Sequence, residues 1–237
     1  MTVPDIQVVK DDASFNHKAA EFIKTTLDTT DRPVITLPTG TTPLGLYHHF
    51  RDNAPDYKPG FYNALFIQLD EFAHINPDDA HSFRSVISGE ILDPFQQPKS
   101  ERIFFDPQAN DPHMECERMN NAIARHGALD LAVLGLGRNG HIGFNEPGCP
   151  FDQNAHYTAL APSTIKAYNN AATHGYTLGM GTLLAALSIL LLVQGEAKAD
   201  ILKAAIHGPI SEQCPASGLQ NHPNVTIIAD EHAALKL

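Results

Sequence analysis

Between Leu131 and Gly148 the chain reads Leu-Ala-Val-Leu-Gly-Leu-Gly-Arg-Asn-Gly-His-Ile-Gly-Phe-Asn-Glu-Pro-Gly: an apolar run, three closely spaced glycines, then a histidine and a carboxylate. The run predicts a buried strand. Gly135, Gly137 and Gly140 allow the backbone to turn sharply and to approach a ligand closely. His141 and Glu146 follow on a segment that Pro147 and Gly148 keep from becoming a helix. An imidazole titrates near neutrality and passes a proton in either direction, and a carboxylate bonded to one ring nitrogen fixes its tautomer. The competing use of His141 is that of a structural loop residue. The chain has 13 histidines, and His48, His49, His74 and His81 are expected to be solvated. Gly135-Leu-Gly-Arg-Asn-Gly140 also satisfies the dinucleotide fingerprint, but that motif needs a helix opening at the glycines. The glycines and proline that follow oppose such a helix, so no nicotinamide cofactor is expected.

Three further segments carry usable chemistry. Leu37-Pro-Thr-Gly-Thr-Thr-Pro43 follows a candidate strand, and Pro43 suits the first turn of a helix. Thr39, Gly40, Thr41 and Thr42 would then present N–H groups and hydroxyls to an anion at a helix N-terminus; a simple cap in a tight turn is the alternative. Phe66-Ile-Gln-Leu-Asp-Glu-Phe72 ends a strand in two adjacent carboxylates. Alternation along a strand leaves one of Asp70 and Glu71 to face a site, where partial desolvation would suit a general base, or else the carboxylates cap the next element. Lys198, in Gln194-Gly-Glu-Ala-Lys-Ala, falls in the first turn of a helix, where a cation opposes the dipole unless it has an anionic partner. It also reads as an ordinary surface lysine. No His-x-x-x-His pair or carboxylate cluster suggests a metal.

The elements that must hold these residues alternate. Candidate strands span 6–9, 33–37, 64–69, 131–136, 189–193 and 225–228; candidate helices span 12–27, 43–53, 81–92, 112–125 and 195–206. This alternation predicts one α/β domain over residues 1–237, with a mainly parallel central sheet flanked by helices in a Rossmann-like three-layer arrangement. All four segments follow a strand, which puts them at the sheet's ligand-binding end.

Composition bounds the partners. The formal net charge of −11 argues against nucleic acid and anionic membrane, yet a nest of backbone N–H groups can bind phosphate on an acidic protein. Three cysteines without C-x-x-C spacing suggest neither a disulfide framework nor zinc. With no signal-peptide pattern and no apolar stretch long enough to span a bilayer, the expectation is a cytoplasmic protein.

Taken in order, Leu-Pro-Thr-Gly-Thr-Thr-Pro, Leu-Asp-Glu-Phe, the Leu-Gly-Leu-Gly-Arg-Asn-Gly-His-Ile-Gly-Phe-Asn-Glu-Pro-Gly segment, Tyr176-Thr-Leu-Gly-Met-Gly-Thr-Leu-Leu184 and Gly-Glu-Ala-Lys resemble the glucosamine-6-phosphate deaminase (isomerase) family, and more distantly the 6-phosphogluconolactonases. The resemblance implies a cofactor-free conversion of glucosamine 6-phosphate to fructose 6-phosphate and ammonia. It implies a phosphate site at Thr39, Gly40, Thr41, Thr42 and Lys198, an enolisation base at Asp70, and a ring-opening histidine at His141 supported by Glu146. Galactosamine 6-phosphate as substrate, lactonase activity, and a non-catalytic sugar-phosphate regulator remain as alternatives.

Three features depart from that family. Asn139 stands among the catalytic residues where many members carry aspartate; its amide is expected to hydrogen-bond His141 without offsetting the charge of an imidazolium. Asn170 falls where an arginine commonly meets the phosphate, with Lys166 nearby as a possible substitute. The tail of the larger, allosterically regulated members is not matched. The expectation is a monomer or small homo-oligomer with hyperbolic kinetics and without activation by N-acetylglucosamine 6-phosphate.

Overall fold

A computed structural model describes residues 4–168 and 172–237. Among the described residues ten strands form: β1 Asp5–Val9, β2 Val34–Thr36, β3 Leu65–Ile67, β4 Asp70–Phe72, β5 Arg102–Ile103, β6 Leu131–Gly135, β7 His156–Ala159, β8 His174–Thr177, β9 Ile189–Val193 and β10 Val225–Asp230. Seven of them make one sheet in the order β1-β10-β9-β6-β2-β3-β5, with every neighbouring pair parallel. The helices are α1 Asp12–Thr29, α2 Leu44–Asp52, α3 Ala54–Asn63, α4 Phe83–Ile87, α5 Pro112–His126, α6 Pro162–Tyr168, α7 Met180–Leu184 and α8 Ala199–His207.

The central strands are apolar at nearly every position because both faces are covered. Along β6 and β9, Leu131, Val133, Leu190 and Leu192 pack with Phe15 and Ile23 of α1, Tyr47 and Phe50 of α2 and Phe61 of α3. Ala132, Leu134, Leu191 and Val193 pack on the opposite side with Met119 of α5, Leu183 of α7 and Leu202 of α8. Each buried leucine or phenylalanine contributes roughly 1.5–3 kcal/mol. A one-residue slip of either strand would exchange its two side-chain sets between the layers, so the register is well specified.

The chain runs outward from β2 through β3 to β5, returns to β6 on the other side of β2, and continues outward through β9 to β10. Strand order therefore reverses between β2 and β6, and the crevice at their carboxyl ends is where folds of this kind bind ligands. The segments after β9, β6, β2 and β3 belong to four adjacent strands, all ending on one side.

The six expected strands all lie in the large sheet. A second, antiparallel sheet, β4-β8-β7, was not expected. Its strands are only three or four residues long, too short for alternation to show. Two helical boundaries also differ. The expected helix 81–92 starts at Phe83 and passes at Ser88 into a π-helical turn, with Asp93 N–H bonded to the Ser88 carbonyl at 2.9 Å. The expected helix 195–206 opens as a 3-10 turn, Glu196–Lys198, before α8. No helix among the described residues is long and apolar enough to cross a membrane.

Candidate active site

The glycines after β6 open a tight turn, not a helix: Gly140 N–H bonds the Gly137 carbonyl at 3.1 Å and Gly137 N–H bonds the His141 carbonyl at 2.9 Å. A Cβ on Gly137 would lie 2.2 Å from Cδ2 and 2.3 Å from Nε2 of His141, so the imidazole rests directly on the glycine backbone. No other residue fits there. Beyond the ring, Asn145 is fully buried and donates its amide to the carbonyls of Ile142 and Leu178, which pins the strand-like crossing that carries Glu146.

His141 Nδ1 lies 3.4 Å from Glu146 Oε2 and 3.4 Å from the Thr164 hydroxyl. Thr164 spends its own proton on Glu146 Oε1, so both neighbours of Nδ1 act as acceptors toward it. That assigns the neutral ring's proton to Nδ1 and leaves the Nε2 lone pair free. Glu146 Oε1 also accepts from Ala161 N–H at 3.2 Å. Burial pushes the Glu146 carboxyl up, but the hydrogen bonds from His141, Thr164 and Asn139, with the His141 charge, outweigh it and hold the group at about 2. Glu146 is therefore ionised throughout the working range.

Asn139 contacts this pair in a way the sequence did not suggest. Its amide donates to Glu146 Oε2 at 2.8 Å, and its carbonyl accepts from the His141 backbone N–H at 3.2 Å. It orients the carboxylate and the loop without bonding the imidazole.

Asp70 and Glu71 divide as alternation requires. Both are buried in β4, opposite Thr177 and Tyr176 of β8. Glu71 accepts from the Gln68 amide, the Ser82 hydroxyl and the N–H groups of Phe72, Phe83 and Arg84. It is the anchor of the α4 N-terminus, where a carboxylate satisfies orphan donors. The Asp70 carboxylate accepts no hydrogen bond among the described residues. Burial, and then the Glu71 charge, push its carboxyl well above the ordinary aspartate value, which is the state a general base needs.

On the β2 side, Pro43 occupies the cap position and α2 begins at Leu44. Thr39, Gly40 and Thr42 are half-buried and Thr41 is exposed. The N–H groups of Gly40, Thr41 and Thr42 have no acceptor among the described residues, and they stand at the positive end of a nine-residue helix. Lys198 is half-buried in the 3-10 turn after β9, where its ammonium bonds the Leu136 carbonyl at the end of β6. Burial and then Arg138 lower it to about 8. No carboxylate among the described residues pairs with it.

The structure thus brings together at one end of the sheet every residue expected there: Thr39–Thr42, Asp70, Asn139, His141, Glu146 and Lys198. Lys166 is exposed on α6, and Asn170 lies outside the described residues. Sequence reasoning missed Thr164, Tyr168 and Arg138. Thr164 and Tyr168 are one helical turn apart on α6, a spacing that puts them on one face. Arg138 was visible as a lone cation inside a glycine turn. Among the described residues no set of three or more His, Cys, Asp or Glu side chains converges to hold a metal.

Fold and site together define a doubly wound α/β protein with acid–base groups at its switch point. Residues 11–228 match the model of the glucosamine-6-phosphate isomerase/6-phosphogluconolactonase family. The chain belongs to that family. It is 37% identical to a glucosamine-6-phosphate deaminase of Lacticaseibacillus paracasei, over 98% of both chains, and 38% identical to one of Lactobacillus johnsonii, over 98% of this chain and 97% of the other. A solved structure of a monomeric glucosamine-6-phosphate deaminase superposes with a TM-score of 0.94 at 30% identity, covering 98% of this chain and all of the other. The 6-phosphogluconolactonase of Trypanosoma cruzi shares the fold, with a TM-score of 0.85 at 21% identity over 100% of this chain and 98% of that one.

Proposed function

We propose that this protein deaminates glucosamine 6-phosphate to fructose 6-phosphate and ammonia. The observation that carries the reading is the contrast at β4: a buried, unbonded Asp70 beside a fully bonded Glu71, at the same sheet end as the His141–Glu146 pair. An unbonded buried carboxylate costs stability, and general-base work accounts for it. Full-length relatives of the same activity support the reading.

The phosphate sits on the N–H groups of Gly40, Thr41 and Thr42, with Lys198 supplying charge. His141 Nε2 takes the anomeric hydroxyl proton and returns it to the ring oxygen, opening the pyranose; Glu146 stabilises the imidazolium in between. Asp70 removes the C2 proton as O1 is protonated, giving the enolamine, and delivers a proton to C1. Water then adds to the C2 imine and ammonia leaves. Positioning and proton transfer suffice, because the C1 carbonyl already acidifies C2.

The test gives purified protein glucosamine 6-phosphate (read as ammonia and fructose 6-phosphate), galactosamine 6-phosphate (read as ammonia and the C4-epimeric ketose 6-phosphate) or 6-phosphogluconolactone (read as acid release). Turnover of glucosamine 6-phosphate, in preference to its C4 epimer, is expected. Lactone hydrolysis alone, or binding without turnover, would refute the reading. The monomeric state of the relative of solved structure supports a monomer here as well, which light scattering checks.

A further inference from the structure

Tyr168, the last residue of α6, is not accounted for by the residues above. Its ring is wedged among Phe72, Phe83 and Phe144, with centroids 5.4, 5.3 and 6.4 Å away, in an aromatic cluster joining β4, α4 and the His141–Glu146 loop. Three ring contacts fix the plane and the direction of the hydroxyl. That hydroxyl lies beside the loop after β2, 3.9 Å from the position a Cβ on Gly40 (φ +96°) would occupy, which is van der Waals contact. It has no hydrogen-bond partner among the described residues. The phenol thus stands beside a loop whose N–H groups are unbonded, and no protein acceptor lies within hydrogen-bond distance of it among the described residues.

We infer that the Tyr168 hydroxyl is a substrate-binding donor, reaching the same phosphoryl group that the Gly40–Thr42 N–H groups and Lys198 hold. This assignment rests on the phosphate reading of that loop. A phosphoryl oxygen is the acceptor the arrangement lacks, and charge-assisted bonds to it are among the strong ones. Burial and the charges of Asp70 and Glu146 push the phenol up, so it stays protonated and remains a donor at any working pH. A neutral donor also suits its place: a full cation there would lie in the field of Asp70 and favour the ionised carboxylate, weakening the base.

Tyr168→Phe removes the oxygen and keeps the ring in its cluster. Two measurements read it: the Kd for inorganic phosphate by calorimetry, and the steady-state constants for glucosamine 6-phosphate. Phosphate Kd and KM should both rise about tenfold or more, with kcat within about threefold and Tm unchanged. An unchanged phosphate Kd would overturn the assignment, as would a fall in kcat with Kd and KM intact, since the hydroxyl would then serve the sugar. If the wild type binds phosphate and the variant loses that affinity, but neither turns over a hexosamine 6-phosphate, the deaminase reading fails and the role of Tyr168 stands.

Discussion

The Asp70 and Glu71 carboxylates are adjacent on β4 and opposite in circumstance: Glu71 accepts five hydrogen bonds and Asp70 accepts none. Both are buried, at 6% and 0% exposure. Glu71 holds α4 on the small sheet, and α4 supplies Phe83 to the aromatic cluster beneath the site. Glu71 thus sets the walls around Asp70, and its charge contributes to the raised affinity of Asp70 for a proton.

Removing the Asp70 charge should stabilise the fold. Its folded-state pKa lies above its unfolded value. Ionisation therefore costs stability as pH rises from the unfolded value through the folded one, and nothing below both. Asp70→Asn should gain on the order of 1 kcal/mol at pH 7, with the gain vanishing near pH 3. Urea melts at the two pH values check this; a destabilised variant at pH 7 would contradict it.

Glu71→Ala should do the reverse. It strands three backbone N–H groups and two side-chain donors in the interior, so a loss of about 3 kcal/mol or more is expected at pH 7. Chemical denaturation measures it, and a loss below about 1 kcal/mol would show that water replaces the carboxylate.

Glu146 is held at about 2 against an ordinary 4.5, so its sign is opposite to that of Asp70. It stabilises the fold fully above the unfolded value, by about 3 kcal/mol, and that contribution disappears as pH falls from about 4.5 to 2. Asn139→Asp replaces the amide donor 2.8 Å from Oε2 with a carboxyl. The Glu146 midpoint, followed by carbon NMR of the side-chain carboxyl, should move upward. An unmoved midpoint would mean that Asn139 does not bear on Glu146.

Lys198 should impose a basic limit on substrate capture. Its charge is intact below about 8 and fades above, so kcat/KM should fall as pH rises through that value. Lys198→Met should raise KM at least about tenfold and remove this limb. A profile identical to that of the wild type would exclude Lys198 from the phosphate.

The large sheet was legible because its strands are apolar on both faces and separated by helical periodicity. The four chemical segments were legible because each interrupts that pattern with polar residues just past a strand. What escaped had weak local signals. Helix α3 carries Pro55, Pro59 and Gly60, which propensity counts against, and tertiary packing of Tyr57 and Phe61 overrides it. The strand β5 is two residues long, and β7 is half-exposed with no clean alternation. Asn139 lies beside Glu146 and His141, yet its partners could not be read from spacing, since the turn geometry decides whether an amide meets the ring or the carboxylate. Tyr168 required the tertiary structure outright: only the folded chain brings α6 against Gly40.

Proton transfer by Asp70 is the centre of this account, and a parallel rate measurement on wild type and Asp70→Asn with saturating glucosamine 6-phosphate tests it most directly. The wild type should release ammonia and fructose 6-phosphate in equal amounts, and the variant, folded and still binding inorganic phosphate with the wild-type Kd, should lose about 10²–10⁴-fold in kcat or more. A folded Asp70→Asn protein that turns over at the wild-type rate would contradict it.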